Sequence, residues 1–290
     1  ASAVFDRFWN SAWVLEAEVL GIQVPPSALQ HHHSRLSAEL ADAKVLERFS
    51  VSPRDWQDRF AALSTRMHSG LSRVHTDTPD YDVVSHHMPA AMRELFAGAR
   101  QEILITNAYV IPDNNWLQQI GKQVADGVSV RLLTNSLASH DVPAVNSHYK
   151  AWRRPLLQIG VQLHELRHDA ALQSRLADTA PNAGEFVGLH VKAAVIDRQR
   201  VFIGSMNLDP RSKNIHSEMG VVIDSPSLAS ELALVMERDM APENAWRVAL
   251  SADGGVRWAA LDQELTRQPA RSLWQRVEDI VFMAFPRDLY

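Results

Sequence analysis

Short apolar segments that alternate between helical and extended spacing constrain the fold of this chain more than any other feature. Three segments carry apolar residues at helical spacing: AAMRELFAGA (90–99), NWLQQIGKQVADG (115–127) and AVNSHYKAWRRPLLQIG (144–160). Each is followed by a segment typical of a buried strand: EILITNAYVI (102–111), VSVRLLTN (128–135) and VQLHEL (161–166). This alternation predicts an α/β domain in which a mixed, largely parallel sheet is sandwiched by helices.

The part of the chain that precedes this region is predicted to be helical. Apolar residues recur at helical spacing in three early segments, which prolines at positions 25, 26 and 53 separate. We expect a helical segment over residues 1–75, the tail of a preceding repeat and a linker, and a second domain over residues 76–290. The chain begins without Met inside an apparent amphipathic helix, so we expect a piece of a longer protein.

Composition excludes several classes of protein. Hydrophobic residues make up 46% of the chain, which is ordinary for a globular protein. There are no cysteines, so disulfides, thiolate catalysis and zinc–sulfur sites are excluded. The net charge of −5 offers no global attraction for nucleic acid. No apolar run approaches the roughly 18–20 residues that span a bilayer and no signal peptide is recognisable, so we expect any membrane contact to be peripheral.

A histidine and a lysine interrupt an apolar strand that is predicted over residues 189–197. His190 and Lys192 are two positions apart and therefore point to the same face of that strand. Burying an unpaired ammonium is costly, so Lys192 requires an anionic partner or a wet cleft. The sequence therefore predicts a functional face on a strand whose other face is apolar.

Further polar residues follow on two more predicted strands, 200–205 and 216–223. Ser205 and Asn207 are again two positions apart, and Glu218 lies on the third strand. A carboxylate that bonds a histidine ring fixes its tautomer. A histidine, a cation and neutral hydrogen-bonding groups suit a phosphodiester: Lys192 and Asn207 would stabilise the non-bridging oxygens, while His190 attacks phosphorus or protonates the leaving oxygen.

A lone His-x-Lys pair is more often structural than functional. The complete pattern here is H-x-K-x4-D-x6-G-S-x-N, with Asp197 at its centre and a glutamate eleven residues after the asparagine. Chance agreement at so many positions is roughly a few per cent or less. The functional interpretation is therefore favoured.

This pattern resembles the HKD signature of the phospholipase D superfamily. By that resemblance His190, Lys192 and Asp197 take the three named positions, Ser205 and Asn207 match the trailing G-S-x-N, and Glu218 matches the glutamate that orients the histidine. The resemblance implies that Asp197 supports the loop and that His190 is the general acid and base. It also implies a phospholipase D-like sheet with helices on both sides. The chemistry that it implies needs neither a cofactor nor a metal.

The similarity extends to nearly the whole chain. The segments EILITNAYVIPDN (102–114), RLLTNSLASHDVPAV (131–145) and GSMNLDPRSKNIHSEMGVVI (204–223) resemble the second, C-terminal repeat of bacterial cardiolipin synthases, especially the C type. That resemblance implies phosphatidyl transfer between phospholipids through a phosphohistidine, with phosphatidylglycerol or phosphatidylethanolamine as substrate. It also implies a peripheral location at the bacterial inner membrane, and it places Tyr109 at the rim of the site.

One departure from that family is important, because this chain carries a single HKD motif where those enzymes have two. The missing first repeat would supply the nucleophile, so we expect the isolated chain to be nearly inactive unless a second motif joins it. Two alternatives stay open: a homodimeric single-motif phosphodiesterase or nuclease, and a non-catalytic half-domain that binds phosphate. His148 and Tyr149, which precede Arg153 and Arg154, are expected on an exposed polar face, with headgroup contact as the alternative.

Overall fold

The computed structural model describes residues 2–21, 23–41, 52–79, 87–173 and 186–285. The chain divides into two compact units, one formed by residues 1–67 with 174–185 and the other by residues 68–173 with 186–290. In the first unit the described helices are α1 (Ser2–Trp9), α2 (Pro26–Ala41) and α3 (Pro53–Ser64), with a short 3₁₀ helix at Ala17–Leu20. Their described side chains are exposed or half-buried. No helix in the described ranges is both long and apolar enough to cross a membrane.

The second unit contains a ten-stranded sheet. Its strands are β1 (Leu71–Thr76), β2 (Glu102–Asn107), β3 (Ser129–Asn135), β4 (Gln162–Leu166), β5 (Lys192–Ile196), β6 (Arg200–Gly204), β7 (Met219–Asp224), β8 (Ala245–Leu250), β9 (Val256–Ala260) and β10 (Gln263–Leu265). They lie in the order β1-β7-β6-β5-β2-β3-β4-β8-β9-β10. The predicted α/β class with a mixed sheet is therefore confirmed.

The expectation that this sheet is largely parallel needs correction. Within the described residues, β2 pairs with β3 and β3 with β4 in parallel, whereas the other pairings are antiparallel. The alternation of strands and helices covers only β2 to β4, where helical crossovers allow parallel pairing. A tight turn joins β5 to β6, and strands that a tight turn joins can only pair antiparallel.

Helices cover both faces of the sheet. They are α4 (His87–Ala97), α5 (Asn114–Ala125), α6 (Pro143–Tyr149), α7 (Arg153–Gln158), α8 (Pro210–Asn214), α9 (Pro226–Asp239) and α10 (Leu273–Val281), which a 3₁₀ turn at Phe282–Ala284 follows. Ile103 and Ile105 of β2 join the main core, which includes side chains of α4 and α5. Leu104 points the other way and packs with Ala229 and Met236 of α9.

The first strand lies where the sequence predicted the helical segment. β1 pairs antiparallel with β7, from Leu71 opposite Asp224 to Thr76 opposite Met219. Its side chains are exposed or half-buried, so its sequence, LSRVHT, lacks the apolar run of a core strand. Residues 71–75 thus lie in the sheet, whereas the predicted boundary placed them in the segment 1–75.

Candidate active site

His190 is held at the start of β5, beside the ends of β2 and β3. The side chain of Asn135 clamps the preceding residue, because its Nδ2 donates to Leu189 O at 2.9 Å and its Oδ1 accepts from Leu189 N at 2.9 Å. On the other side, Ala108 N donates to Val191 O at 3.1 Å. These bonds fix the backbone on both sides of His190, and the imidazole remains exposed.

Lys192 is buried, with only 7% of its surface exposed. Its Nζ donates to His190 O at 2.9 Å and lies 5.6 Å from the centre of the Tyr109 ring. Burial lowers the pKa of this ammonium, although the negative charges of Glu218, Asp141 and Asp209 oppose that shift. An ammonium has three donors, so this arrangement leaves Lys192 capacity for an anionic ligand.

Ser205, directly after β6, and Glu218, directly before β7, form a second polar pair. The Ser205 hydroxyl donates to Glu218 Oε2, while Met219 N donates to Ser205 Oγ at 3.0 Å. Glu218 is buried, and its backbone N–H donates to Asp77 Oδ2 at 3.1 Å. The described partners of the Glu218 carboxylate are Ser205 and His216, so the structure does not place this carboxylate on the His190 ring as the resemblance implies.

Asn207 follows β6 and carries an unsatisfied group. Its backbone N–H donates to Ser212 Oγ at 3.1 Å, whereas its Oδ1 is buried and has no hydrogen-bond partner among the described residues. An unsatisfied buried carbonyl costs about 1–3 kcal/mol, which a ligand can relieve. Gly204 is required just before this point, because a Cβ there would lie 2.6 Å from Met219 O.

Asp197 lies at the opposite end of β5 from His190. Seven positions of extended chain separate the two residues by roughly 20 Å. The Asp197 carboxylate accepts hydrogen bonds from the backbone N–H groups of Arg100, Gln101 and Glu102, at 2.7 to 3.2 Å. Its φ of 53° also forms the β5–β6 turn. The structure therefore gives Asp197 a place in the scaffold, away from the other five predicted site residues.

Tyr109 joins the site through two neighbours that the sequence analysis did not single out, His140 and Asp141. The Tyr109 hydroxyl donates to both Asp141 oxygens, at 2.9 and 3.0 Å. Its ring stacks on His140 at 5.3 Å and meets the His190 ring edge-on at 6.1 Å. His140 and Asp141 closely follow β3, which ends at the same edge of the sheet as β2, so their position along the chain was the signal that could have revealed them.

Burial and hydrogen bonding shift the pKa values of Tyr109, His140 and Asp141. Burial, followed by the bond to Asp141, raises the pKa of Tyr109, so its hydroxyl stays protonated. His140 and then Tyr109 lower the pKa of Asp141 to about 2. Burial lowers the pKa of His140, and its Nδ1 lies 3.2 Å from Val142 N and 3.5 Å from Asp141 Oδ1. His140 and Asp141 thus hold Tyr109, and the Tyr109 ring is the part of this group that meets the His190 ring.

One prediction for a neighbouring helix is wrong. His148 and Tyr149 were expected on an exposed face, but both are buried, as is Arg153. Tyr149 Oη donates to Glu165 Oε1 at 2.8 Å and Arg153 Nε to the same atom at 2.6 Å. A buried carboxylate on β4 therefore turns these groups inward, away from any headgroup. In the described part of the chain, no group of three or more His, Asp or Glu side chains could hold a metal ion.

The structure thus defines a mixed α/β domain that presents a histidine and a lysine at one edge of its sheet. A family model described as “Cardiolipin synthase, PLD-like domain” matches residues 92–240, about half of the chain. The chain belongs to this family of phospholipase D-like domains. The predicted membership of the phospholipase D superfamily is thereby confirmed.

Similar proteins agree with this membership. Cardiolipin synthase C of Escherichia coli is 35% identical over 196 residues, which cover 66% of this chain and 41% of that protein. An uncharacterized protein of Helicobacter pylori is 25% identical over 278 residues, which cover 91% of this chain and 52% of that protein. The chain thus spans about half the length of these relatives.

Solved structures with a similar fold share little sequence with this chain. Nuc of Salmonella typhimurium, a phospholipase D family member, is 16% identical with a TM-score of 0.44, and the match covers 62% of this chain and 99% of that one. NucT of Helicobacter pylori is 13% identical with a TM-score of 0.47, over 61% and 98% of the two chains.

Proposed function

We propose that this chain supplies one half of the active site of a phosphatidyltransferase that makes cardiolipin by transfer between phospholipids. The observation that carries the proposal is the exposed His190 imidazole beside the buried Lys192 ammonium, at one edge of the sheet. The 35% identity to cardiolipin synthase C supports a phospholipid substrate. The other half-site, with a second HKD motif, comes from a preceding domain or another chain.

The reaction divides into two balanced steps. A histidine of the other half-site attacks the phosphorus of phosphatidylglycerol, a P–N bond forms, and the P–O bond to the departing glycerol breaks. Protonated His190 gives its proton to that glycerol oxygen. A hydroxyl of a second phosphatidylglycerol then attacks the phosphohistidine and His190 takes the hydroxyl proton. A P–O bond forms, the P–N bond breaks to release the histidine, and cardiolipin leaves. With phosphatidylethanolamine as the donor, ethanolamine departs in the first step.

The remaining residues stabilise charge and hold geometry. Lys192 and the side-chain amide of Asn207 would contact the non-bridging oxygens, where negative charge accumulates in the transition state. The Ser205–Glu218 pair joins β6 to β7 next to these groups. Tyr109, which Asp141 holds, packs edge-on against the His190 ring and limits its rotation. Asp197 maintains the loop at the far end of β5.

The test restores the missing half. Lipid-free chain that is supplied with an N-terminal half carrying an HKD motif should form cardiolipin from phosphatidylglycerol, either alone or with phosphatidylethanolamine as the donor. The His190→Ala variant should lose at least ~10²-fold in rate, because proton transfer by a positioned side chain contributes about 10² to 10⁴. A matched control, His33→Ala, changes an exposed histidine of the first unit and should keep full activity. The proposal fails if the complemented chain forms no cardiolipin, or if it cleaves only a nucleic acid substrate.

A further inference from the structure

Helix α10 turns its polar side inward and its apolar side outward. Gln275 and Asp279 are only 4% and 2% exposed, whereas Leu273 and Trp274 are 82% and 68% exposed. In a surface helix of a globular protein the apolar stripe ordinarily faces the core. This inversion leaves an apolar face that requires an apolar environment.

The inward side of α10 is held by specific polar bonds. Gln275 Nε2 donates to Leu137 O at 2.6 Å, and Asp279 Oδ2 accepts from Lys150 Nζ at 2.7 Å. Asn146 Nδ2 also donates to Asp279, at 2.7 Å. Because these bonds satisfy the buried polar groups, the orientation of the helix is fixed and the apolar face is a stable property of the second unit.

The outward residues form one continuous stripe. Positions 273, 274, 277, 280 and 281 follow helical spacing on a single face, and the next turn continues it. The exposed members are Leu273, Trp274, Val277, Ile280, Val281, Met283 and Phe285. We call these seven residues the α10 stripe. An apolar surface of this kind marks an interaction site.

The inward side of α10 packs against the loop that carries two residues of the candidate active site. Leu137, which α10 contacts, belongs to the same loop as His140 and Asp141, and these two residues hold Tyr109 beside His190. Just before α10, the Arg271 guanidinium lies 3.5 Å from the centre of the Phe186 ring, in the segment that leads to His190. The helix that carries the stripe is thus anchored to two segments that lead to the site.

We propose that the α10 stripe inserts into the interface of an anionic lipid bilayer and brings the His190 site to its phospholipid substrate. This inference deepens the proposed function by naming the surface that meets the lipid. Trp and large aliphatic side chains with flanking arginines are typical of helices that lie in a membrane interface. Exposed Arg267 precedes α10 and half-buried Arg276 lies within it, so both supply positive charge, and Glu278 is the one acidic residue of α10 besides the buried Asp279.

Vesicle co-sedimentation of the 290-residue chain tests the proposal. The chain should bind vesicles of phosphatidylcholine with phosphatidylglycerol, and less tightly those of phosphatidylcholine alone, with binding that weakens in high salt. The double variant W274S/I280S should bind at least ~10-fold more weakly, because it removes two large apolar groups from the interface. Leu234→Ser, which changes an exposed leucine of α9, is the matched control and should bind as the wild type does.

Three results would overturn the proposal. Vesicle binding that W274S/I280S leaves unchanged would exclude the stripe. Self-association without lipid that the same variant abolishes would show that a second copy covers this face. If W274S/I280S melts at a lower temperature, Trp274→Phe decides: brominated lipid that quenches the tryptophan fluorescence of this variant as strongly as that of the wild type would show that Trp274 does not enter the bilayer. His190→Ala should bind vesicles normally, so failure of lipid docking and failure of catalysis remain distinguishable.

Discussion

At the scale of single residues, Lys192 shows how the scaffold prepares a site for an anion. Its ammonium is buried against the Tyr109 ring and the His190 carbonyl, and this burial lowers its pKa. An anionic ligand reverses that effect, because a nearby negative charge favours the charged form. The energetic cost of burying Lys192 is therefore lowest when a phosphate group is bound.

The affinity for inorganic phosphate should consequently fall with rising pH before an ordinary lysine titrates. Because burial lowers the pKa of Lys192, its charged form is lost below the usual lysine pKa, and we expect phosphate binding to weaken over an alkaline range that begins below that value. Lys192→Arg should retain binding across that range, and calorimetric titration measures both. Lys192→Met should bind weakly at every pH. If the phosphate affinities of wild type and Lys192→Arg changed with pH in the same way, Lys192 would be excluded as the titrating group.

The folding stability of the unliganded chain should show the opposite pH dependence from its phosphate affinity. A folded state with a lowered lysine pKa binds fewer protons than the unfolded state, so the contribution of Lys192 to stability rises with pH up to the unfolded pKa. Urea unfolding with and without phosphate would reveal this: the stabilisation by phosphate should shrink as pH increases.

Asp197 has the sequence position of a catalytic residue and the surroundings of a structural one. Asp197→Ala should remove the acceptor of three backbone N–H groups and place alanine at a φ of 53°, so we expect a loss of about 2–4 kcal/mol in unfolding free energy. Phosphate affinity of the folded variant should be unchanged. Asp197→Asn tolerates the same φ and should lose less. A variant with normal stability and no phosphate binding would contradict this assignment.

At the scale of elements, a buried ion pair joins two helices to two strands. Glu165 of β4 is fully buried and accepts from Tyr149 of α6, Arg153 of α7 and Trp258 of β9, at 2.6 to 3.3 Å. Each donor comes from a different element. Glu165 therefore fixes α6 and α7, and with them the loop that carries His140 and Asp141.

Removing the charge of Glu165 should be strongly destabilising. Glu165→Gln leaves the Arg153 guanidinium buried without a counter-charge, so we expect a loss of about 3–5 kcal/mol. The exposed pair Arg257–Glu264, 2.8 Å apart, provides the matched control: Glu264→Gln should cost no more than about 1 kcal/mol. Chemical denaturation of both variants gives the comparison, and equal losses would show that burial does not set the cost.

The elements differ in how far the sequence could reveal them. β2, β3 and β4 were predictable, because each is an apolar run between helical patterns. β5 begins at Lys192 and not at 189 as predicted, since Asn135 and Ala108 bond residues 189 and 191 in place of a strand ladder. β1 is exposed and β10 has three residues, so neither carries a periodic apolar signal.

The site was predictable in its chemistry and less so in its contacts. His190 and Lys192 are two positions apart in extended chain, so their shared face follows from the sequence alone and does not depend on the rest of the fold. The partner of Glu218 depends on how β6 and β7 pair, and there Gly204 opposite Gly220 lets Ser205 reach it. The polar inner side of α10 also could not be predicted, because an amphipathic pattern gives two faces without saying which faces the core.

At the scale of the whole molecule, the site is proposed as one half of a pair. Light scattering of the chain alone should report a monomer with negligible transferase activity, and addition of the other half should give a complex with one copy of each and restored activity. A stable dimer of this chain that hydrolyses phosphodiesters would support the homodimeric alternative. Binding of phosphate without turnover in either form would indicate a half-domain that only binds.

The order of strands in the sheet also has a consequence for synthesis. β1 pairs with β7, which lies roughly 150 residues later, and β2 pairs with β5 across roughly 90 residues, so these pairings are of high contact order. β2, β3 and β4 follow β1 from the ribosome, and these three strands can associate through their short crossovers before β5 is made. β1 stays unpaired until β7 has been made. His190 meets Tyr109 only after β5 has paired with β2. The half-site is thus completed only after β5, β6 and β7 have left the ribosome and joined the strands made before them.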